Sequence, residues 1–232
     1  MCGRSSLNKT EKDLEERFNA TFYSEDLERY NPLPNFNVAP SHVLPVISNA
    51  DSTHFSPYRW GLIPFWAKDM KVGYKMINAR IETVLEKTTF RKAVEKRRCL
   101  VPLDGFYEWQ KTEKGKQAYR IMVTDQEIFT IAGLWDKWTS PEGNEIHSFT
   151  LITQEANKKV GQIHDSMPAI LSKEQEALWL ADDISPQDLV EMIKPYPDDL
   201  MKMYKVSSRV NNVRNNDPSL LDEDKPQQDL FS

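Results

Sequence analysis

Cys2, followed by Gly3, is the residue of this sequence best placed to do covalent chemistry. Aminopeptidases remove Met1 when the next residue is small, which would leave an α-amine and a thiol on adjacent carbons. Their ordinary pKa values, roughly 7.7–8.0 and roughly 8.5, keep part of each group nucleophilic near neutrality. A 1,2-aminothiol has a characteristic reaction with an aldehyde. The amine forms an imine, the thiol adds to the imine carbon, and a five-membered thiazolidine closes. Because the second step is intramolecular, proximity favours it strongly. Gly3 lets the backbone sit close to a bulky reactant.

Three other residues carry groups that such a reaction would use. His164, in Ile163-His164-Asp165 ahead of Pro168, titrates near neutrality and suits proton delivery. Glu108, in the strand-like run Gly105-Phe106-Tyr107-Glu108-Trp109, can shuttle a proton in either direction of the reaction. Asn78, in Asn78-Ala79-Arg80, offers an amide that holds an oxygen without adding charge. Each also has a plainer reading: Glu108 as an ion-paired strand residue, His164 as an ordinary loop residue, Asn78 as a turn cap. Cys99 lies in an apolar run and reads as a small buried hydrophobe. Neither the two cysteines nor the four histidines show metal-ligand spacing, so no metal and no other cofactor is expected.

The elements that must position these groups follow from periodicity. Thr10 and Asp13 form a capping-box pattern, and Leu14, Phe18 and Phe22 recur at helical spacing, predicting a helix over 10–22. Strand-like runs are expected at 43–48, 53–62, 99–110, 117–124, 128–137 and 145–153, with a late strand at 201–207. Lys114-Gly115 and Glu142-Gly143-Asn144 supply hairpin turns. Further helices are expected near 82–96, at 173–181 behind a Ser172 cap, and at 186–194 with Pro186 in the first turn. Successive strands without alternating helices exclude a doubly wound parallel sheet. The expected fold is α+β: a single domain over 1–215 with a coiled or barrel-like, mainly antiparallel β core and peripheral helices. Residues 216–232 read as an acidic, disordered tail.

With 232 residues and 39% hydrophobic content, the chain can bury one substantial core. Its formal net charge is −5, but four acids against Lys225 in residues 222–232 supply most of it. The body is near neutral and carries a basic cluster, Arg91, Lys92, Lys96, Arg97 and Arg98. A small net charge is compatible with one positive groove, because phosphate binding depends on local field. The start has no basic region followed by an apolar run, and no stretch is apolar enough to span a bilayer. A cytoplasmic protein with no membrane partner is expected, nucleoid-associated if bacterial.

An ordered set of motifs extends this picture. They are Met1-Cys2-Gly3-Arg4, Asn37-Val38-Ala39-Pro40, Trp60-Gly61-Leu62-Ile63-Pro64, Asn78 through Thr83, Arg98 through Trp109, and Ile163-His164-Asp165. In this order they resemble the SOS response-associated peptidase family over roughly residues 1–215. That family processes abasic sites by covalent DNA–protein crosslinking. The resemblance implies that Cys2 is the crosslinking nucleophile, that Asn78, Glu108 and His164 complete the site, and that the partner is single-stranded DNA containing abasic sites. An abasic deoxyribose is mostly a closed hemiacetal, so His164 would protonate the ring oxygen to open it. The family pattern places Arg4, Arg80 and Arg91 near phosphates, where a guanidinium fork fits. Ser208 and Arg209 lie in a further matching segment, Ser207 through Val213. Trp66, after Pro64, is a candidate for base stacking, and Pro40 for capping stacked DNA. Trp60 and Trp109 suit the core equally. The family usually carries Arg after His-Asp, where this chain has Ser166.

Other readings stay open on sequence alone. Glutamine amidotransferases also begin Met-Cys-Gly, which allows an N-terminal-nucleophile amidohydrolase. Cys2 and His164 could act as a thiol peptidase pair, including autoproteolysis of Met1. A non-covalent single-strand-binding module is a third possibility. The chain is expected to be monomeric, and any replication-fork partners are unknown.

Overall fold

The computed structural model of the chain describes residues 2–113 and 115–225. Its strands are β1 (Ser5–Leu7), β2 (Thr21–Phe22), β3 (Asn35–Val38), β4 (Val43–Ser48), β5 (Asp51–Trp60), β6 (Asn78–Arg80) and β7 (Arg98–Leu103). They continue as β8 (Gly105–Thr112), β9 (Gly115–Val123), β10 (Phe129–Thr139), β11 (Glu145–Glu155), β12 (Ser166–Pro168), β13 (Ile170–Leu171) and β14 (Met201–Lys205). The helices are α1 (Glu11–Phe18), α2 (Thr88–Lys96), α3 (Lys173–Leu180) and α4 (Pro186–Glu191), with several 3₁₀ turns between them.

The core is a closed ring of strands. β4 pairs antiparallel with β5 and with β7, β7 with β10, and β10 with β11. β11 then closes the ring on β5 through a short parallel pairing, Ser148 with Arg59 and Phe149 with Trp60. Full closure leaves no long unpaired edge in this part of the molecule. The expected barrel-like α+β domain is what the chain forms. Gly133 lets β10 lie against β7, since a Cβ there would come within 2.7 Å of Cys99 Sγ. Cys99 itself is fully buried, and α3 is fastened to the ring by Trp179, whose indole N–H donates to the Cys99 carbonyl at 3.1 Å.

Against this ring lies a second sheet, in the order β14-β9-β8-β1-β3. The run expected as one strand over 99–110 is two strands in two sheets, broken at Asp104. The Asp104 carboxylate accepts from the Ser6 hydroxyl at 2.7 Å and from Arg120 Nη2 at 3.0 Å. That buried pair fixes the corner where the chain leaves the barrel. Gly105 is needed beside it, because a Cβ there would sit 3.0 Å from the Arg120 guanidinium.

Elsewhere the expectations shift at their edges. The Thr10–Asp13 capping box forms, but α1 ends at Phe18 because Asn19 adopts φ 50°, a left-handed C-cap. Phe22 then belongs to β2, its ring 4.4 Å from that of Phe55. Of the helix expected over 82–96, the α-helical part is Thr88–Lys96, behind a 3₁₀ turn at Ile81–Thr83. Residues 216–225 of the expected tail are held against the fold. Pro218–Leu221 forms a 3₁₀ turn with Leu220 buried, and Asp224 donates its N–H to the Lys205 carbonyl at 2.8 Å. An apolar anchor and a backbone bond hold the chain through residue 225; residues 226–232 of the expected tail lie outside the described residues. No helix among those described is long and apolar enough to cross a membrane.

Candidate active site

Two three-residue strands, β1 of one sheet and β6 of the other, position the site. β1 lies beside β8, pairing Ser5 with Phe106 and Ser6 with Gly105, and the Tyr107 N–H donates to the Arg4 carbonyl at 2.9 Å. This draws Cys2, just ahead of β1, toward Glu108 on β8. From the barrel side, β6 runs parallel to β11 with Asn78 opposite Leu151. The Asn78 amide donates from Nδ2 to the Cys2 carbonyl at 2.7 Å. His164 follows a 3₁₀ turn at Val160–Gln162 and precedes β12, which pairs with β11. Its Nε2 lies 3.8 Å from Glu108 Oε2. Four residues spread from position 2 to position 164 are therefore brought together.

Their environment departs from water sharply. Cys2 is 1% exposed and Glu108 3%. Burial pushes the Glu108 carboxyl up to about 8, and the charge of Asp165 adds to the rise. Glu108 is thus largely a protonated acid at neutral pH. Burial, with Glu108 adding, pushes the Cys2 thiol well above its ordinary range. The sequence-based expectation of a partial thiolate near neutrality is corrected on this point: the sulfur stays protonated until a neighbour takes its proton.

Two buried acceptors, Asn78 Oδ1 and Glu108 Oε1, have no hydrogen-bond partner within the protein among the described residues. Buried polar atoms are seldom left so, and here both belong to residues gathered around Cys2. The His164 ring is held from its other side. Its Nδ1 accepts from the Ser166 N–H at 3.1 Å, with the Ser166 hydroxyl at 3.2 Å and Asp165 Oδ1 at 3.3 Å. The 3.8 Å span from Nε2 to Glu108 is too long for a direct hydrogen bond and suits an oxygen bridging the two.

The residues expected to contact DNA divide into two groups. Arg80, Arg91 and Trp66 are exposed; Arg80 donates from Nε to Glu82 at 3.1 Å, and Arg91 stands on α2 beside Lys96. Pro40 is half-buried and precedes Ser41, which takes φ 78°. Arg4 is turned partly inward. Its Nη1 donates to Asn37 Oδ1 at 2.8 Å and to the Val210 carbonyl, and its guanidinium lies 5.8 Å from the Trp109 ring. Ser208 and Arg209 are exposed, and Arg209 pairs with Asp217 at 2.7 Å. Of the expected basic cluster, Arg98 is buried, its guanidinium bonded to the carbonyls of Val94, Glu95, Trp179 and Ala181. It ties α2 and α3 to β7 and is not a surface cation.

Asn37, named in the sequence only as part of the Asn37-Val38-Ala39-Pro40 motif and given no role there, has one in the structure. It is buried, holds Arg4 through Oδ1, and donates from Nδ2 to the carbonyls of Val210, Asn212 and Asn215. That motif was its signal in the sequence.

Comparisons with known proteins find similar chains and a similar fold. Residues 1–213 match the family described as SOS response associated peptidase (SRAP). The chain is 43% identical over 225 residues to the abasic site processing protein YoqW of Bacillus subtilis (strain 168), covering 96% of this chain and 99% of that protein. It is 32% identical over 264 residues to the abasic site processing protein HMCES of Xenopus tropicalis, covering 95% of this chain and 78% of that protein. A crystal structure of a protein from Bacteroides thetaiotaomicron superposes with a TM-score of 0.89 at 27% identity, covering 96% of this chain and 99% of that one.

Proposed function

The chain belongs to the SOS response associated peptidase (SRAP) family, and from that premise we propose that it processes abasic sites in single-stranded DNA by covalent capture through Cys2. The observation that carries this reading is the convergence of Cys2, Asn78, Glu108 and His164 at the meeting of two sheets, with buried acceptors left unpaired beside Cys2. Removal of Met1 frees the Cys2 amine. His164 protonates the ring oxygen of the closed sugar while the C1′ hydroxyl gives its proton to solvent, which releases the aldehyde. The amine nitrogen attacks C1′, and the carbonyl oxygen departs as water with one proton from the amine and one from Glu108, leaving a protonated C=N bond. The sulfur then adds to the carbon of that bond, and the thiol proton returns to the Glu108 carboxylate. One aldehyde and one aminothiol give one thiazolidine and one water.

The residues divide this work by their surroundings. A carboxyl with a pKa of about 8 can give a proton to the departing oxygen at neutral pH and take one back from sulfur. Asn78 anchors the Cys2 carbonyl, and its unpaired Oδ1 is an acceptor for the Cys2 ammonium or a sugar hydroxyl. Arg80 and Arg91 serve as phosphate contacts, with Trp66 as a stacking surface and Pro40 as a cap on the stacked DNA; Arg4, Ser208 and Arg209 shape the rim near the C-terminal segment.

Denaturing electrophoresis of the processed protein with abasic and intact oligonucleotides tests the reading. A heat-stable adduct with abasic DNA, lost in Cys2→Ala, is expected. Binding without an adduct would favour a non-covalent module. Glutamine hydrolysis, or peptide hydrolysis dependent on Cys2 and His164 without DNA capture, would favour the hydrolase readings.

A further inference from the structure

Residues 65–75 form a surface unlike the rest of the molecule. Phe65, Trp66, Met70 and Tyr74 are all exposed, at 61%, 56%, 39% and 59%, within one ten-residue stretch. Exposed Lys68, Lys71 and Lys75 alternate with them, against Asp69 as the segment's single acid. Large apolar groups are not usually displayed together unless something covers them. The segment is also rigidly mounted. Gly73 and Gly61 approach so closely that a Cβ on either would meet the other's carbonyl oxygen at 2.7 Å. Ala67 packs in a small core with Ile63 and Trp138, and Trp138 donates its indole N–H to the Ala67 carbonyl at 2.6 Å. The display of the rings is therefore built in rather than left to a loose loop.

Tyr74 is the informative member. The Arg59 guanidinium lies over one face of its ring at 5.8 Å, while Arg59 Nη1 donates to the Ser41 carbonyl at 2.8 Å. One residue thus links Tyr74 to the turn that follows Pro40. Four residues along from Tyr74, Asn78 bonds the Cys2 carbonyl. At the other end of the segment, Phe65 and Trp66 border a hollow of about 110 Å3 that Lys92 and Arg97 also line.

We propose that Tyr74 is a base-stacking contact for the DNA strand flanking the captured site, with the base on the ring face opposite Arg59. Rings interleaved with cations suit a strand of stacked bases and phosphates, in which stacking tolerates any sequence. This rests on the proposed function for the identity of the strand and adds a contact on the Pro40 side of the site, separate from Trp66. A protein surface or a second copy of the chain is disfavoured by the lysines between the rings, since interface centres are depleted in lysine.

Fluorescence anisotropy with an intact, labelled single-stranded oligonucleotide separates this inference from the chemistry, because no adduct forms. Tyr74→Ala is expected to weaken binding about tenfold and Tyr74→Phe to stay within about twofold of the original. Thermal melting of both variants checks folding, and Tyr74→Lys, which keeps positive charge without a ring, is expected to bind as poorly as Tyr74→Ala. Equal affinity of Tyr74→Ala and the original overturns the inference. So does full binding by Tyr74→Lys, which would leave charge alone as the cause, or a concentration-dependent dimer that Tyr74→Ala abolishes. Tyr74-dependent binding together with no adduct on abasic DNA would instead sink the covalent reading and leave this contact standing.

Discussion

Glu108 concentrates the chemistry because burial makes its carboxyl hold a proton at a pH where carboxylates are normally charged. Its folded pKa of about 8 lies above its ordinary value of 4.5. Its contribution to stability is therefore complete below the ordinary value and is lost as pH rises through about 8. Glu108→Gln removes a buried charge only where that charge exists. The variant should match the original in denaturant melts near pH 4 and exceed it by about 2–4 kcal/mol at pH 9, while forming adduct far more slowly. Ser166 follows His164 by two residues, and its N–H and hydroxyl both approach His164 Nδ1. Ser166→Ala keeps the backbone donor and loses the hydroxyl, so single-turnover adduct formation should slow about three- to tenfold. At this scale Cys2, Asn78, Glu108 and His164, which the fold brings together, were named in the sequence through an ordered set of motifs. Their pKa values were not. Neither the raised thiol nor the raised carboxyl can be read from local sequence, because both come from strands distant in the chain closing over them.

Among the elements, long strands and capped helices announced themselves and short ones did not. β4 was found at its observed ends, and the Ser172 and Thr10 caps form with their side chains bonded to the third residue of each helix. β1, β3, β6 and β12 span three or four residues each, too few to show a period of two, and these carry or flank the site. The switch at Asp104 was equally hidden. The strand-like run continues through it, and the pairing of Asp104 with Arg120, sixteen residues on, marks where the chain changes sheets. Asp104→Ala leaves a buried guanidinium without its counter-charge and should destabilise the fold by about 3–5 kcal/mol in equilibrium unfolding. It should also lower adduct yield, since β1 and β8 are set side by side at that corner.

Taken whole, the molecule reconciles an acidic composition with a nucleic-acid role. The net charge is −5, yet acids crowd the C-terminal residues while the surface around 65–75 and the outward side of α2 carry lysine and arginine. The two proposed phosphate contacts, Arg80 and Arg91, should give binding of intact single strands a log–log salt slope of about −1.4, measured by anisotropy titration. Barrel closure and the α+β class followed from strand succession, whereas the parallel β11–β5 seam that completes the ring joins segments almost ninety residues apart and left no local mark.

The covalent account stands or falls on the mass of the adduct. Intact mass spectrometry of protein incubated with an abasic oligonucleotide should give the chain lacking Met1, plus the oligonucleotide, minus one water. A form made to retain Met1 should give no such species. An equally stable adduct on the Met1-retaining form, or one whose mass keeps the water, would contradict capture by the Cys2 amine and thiol together.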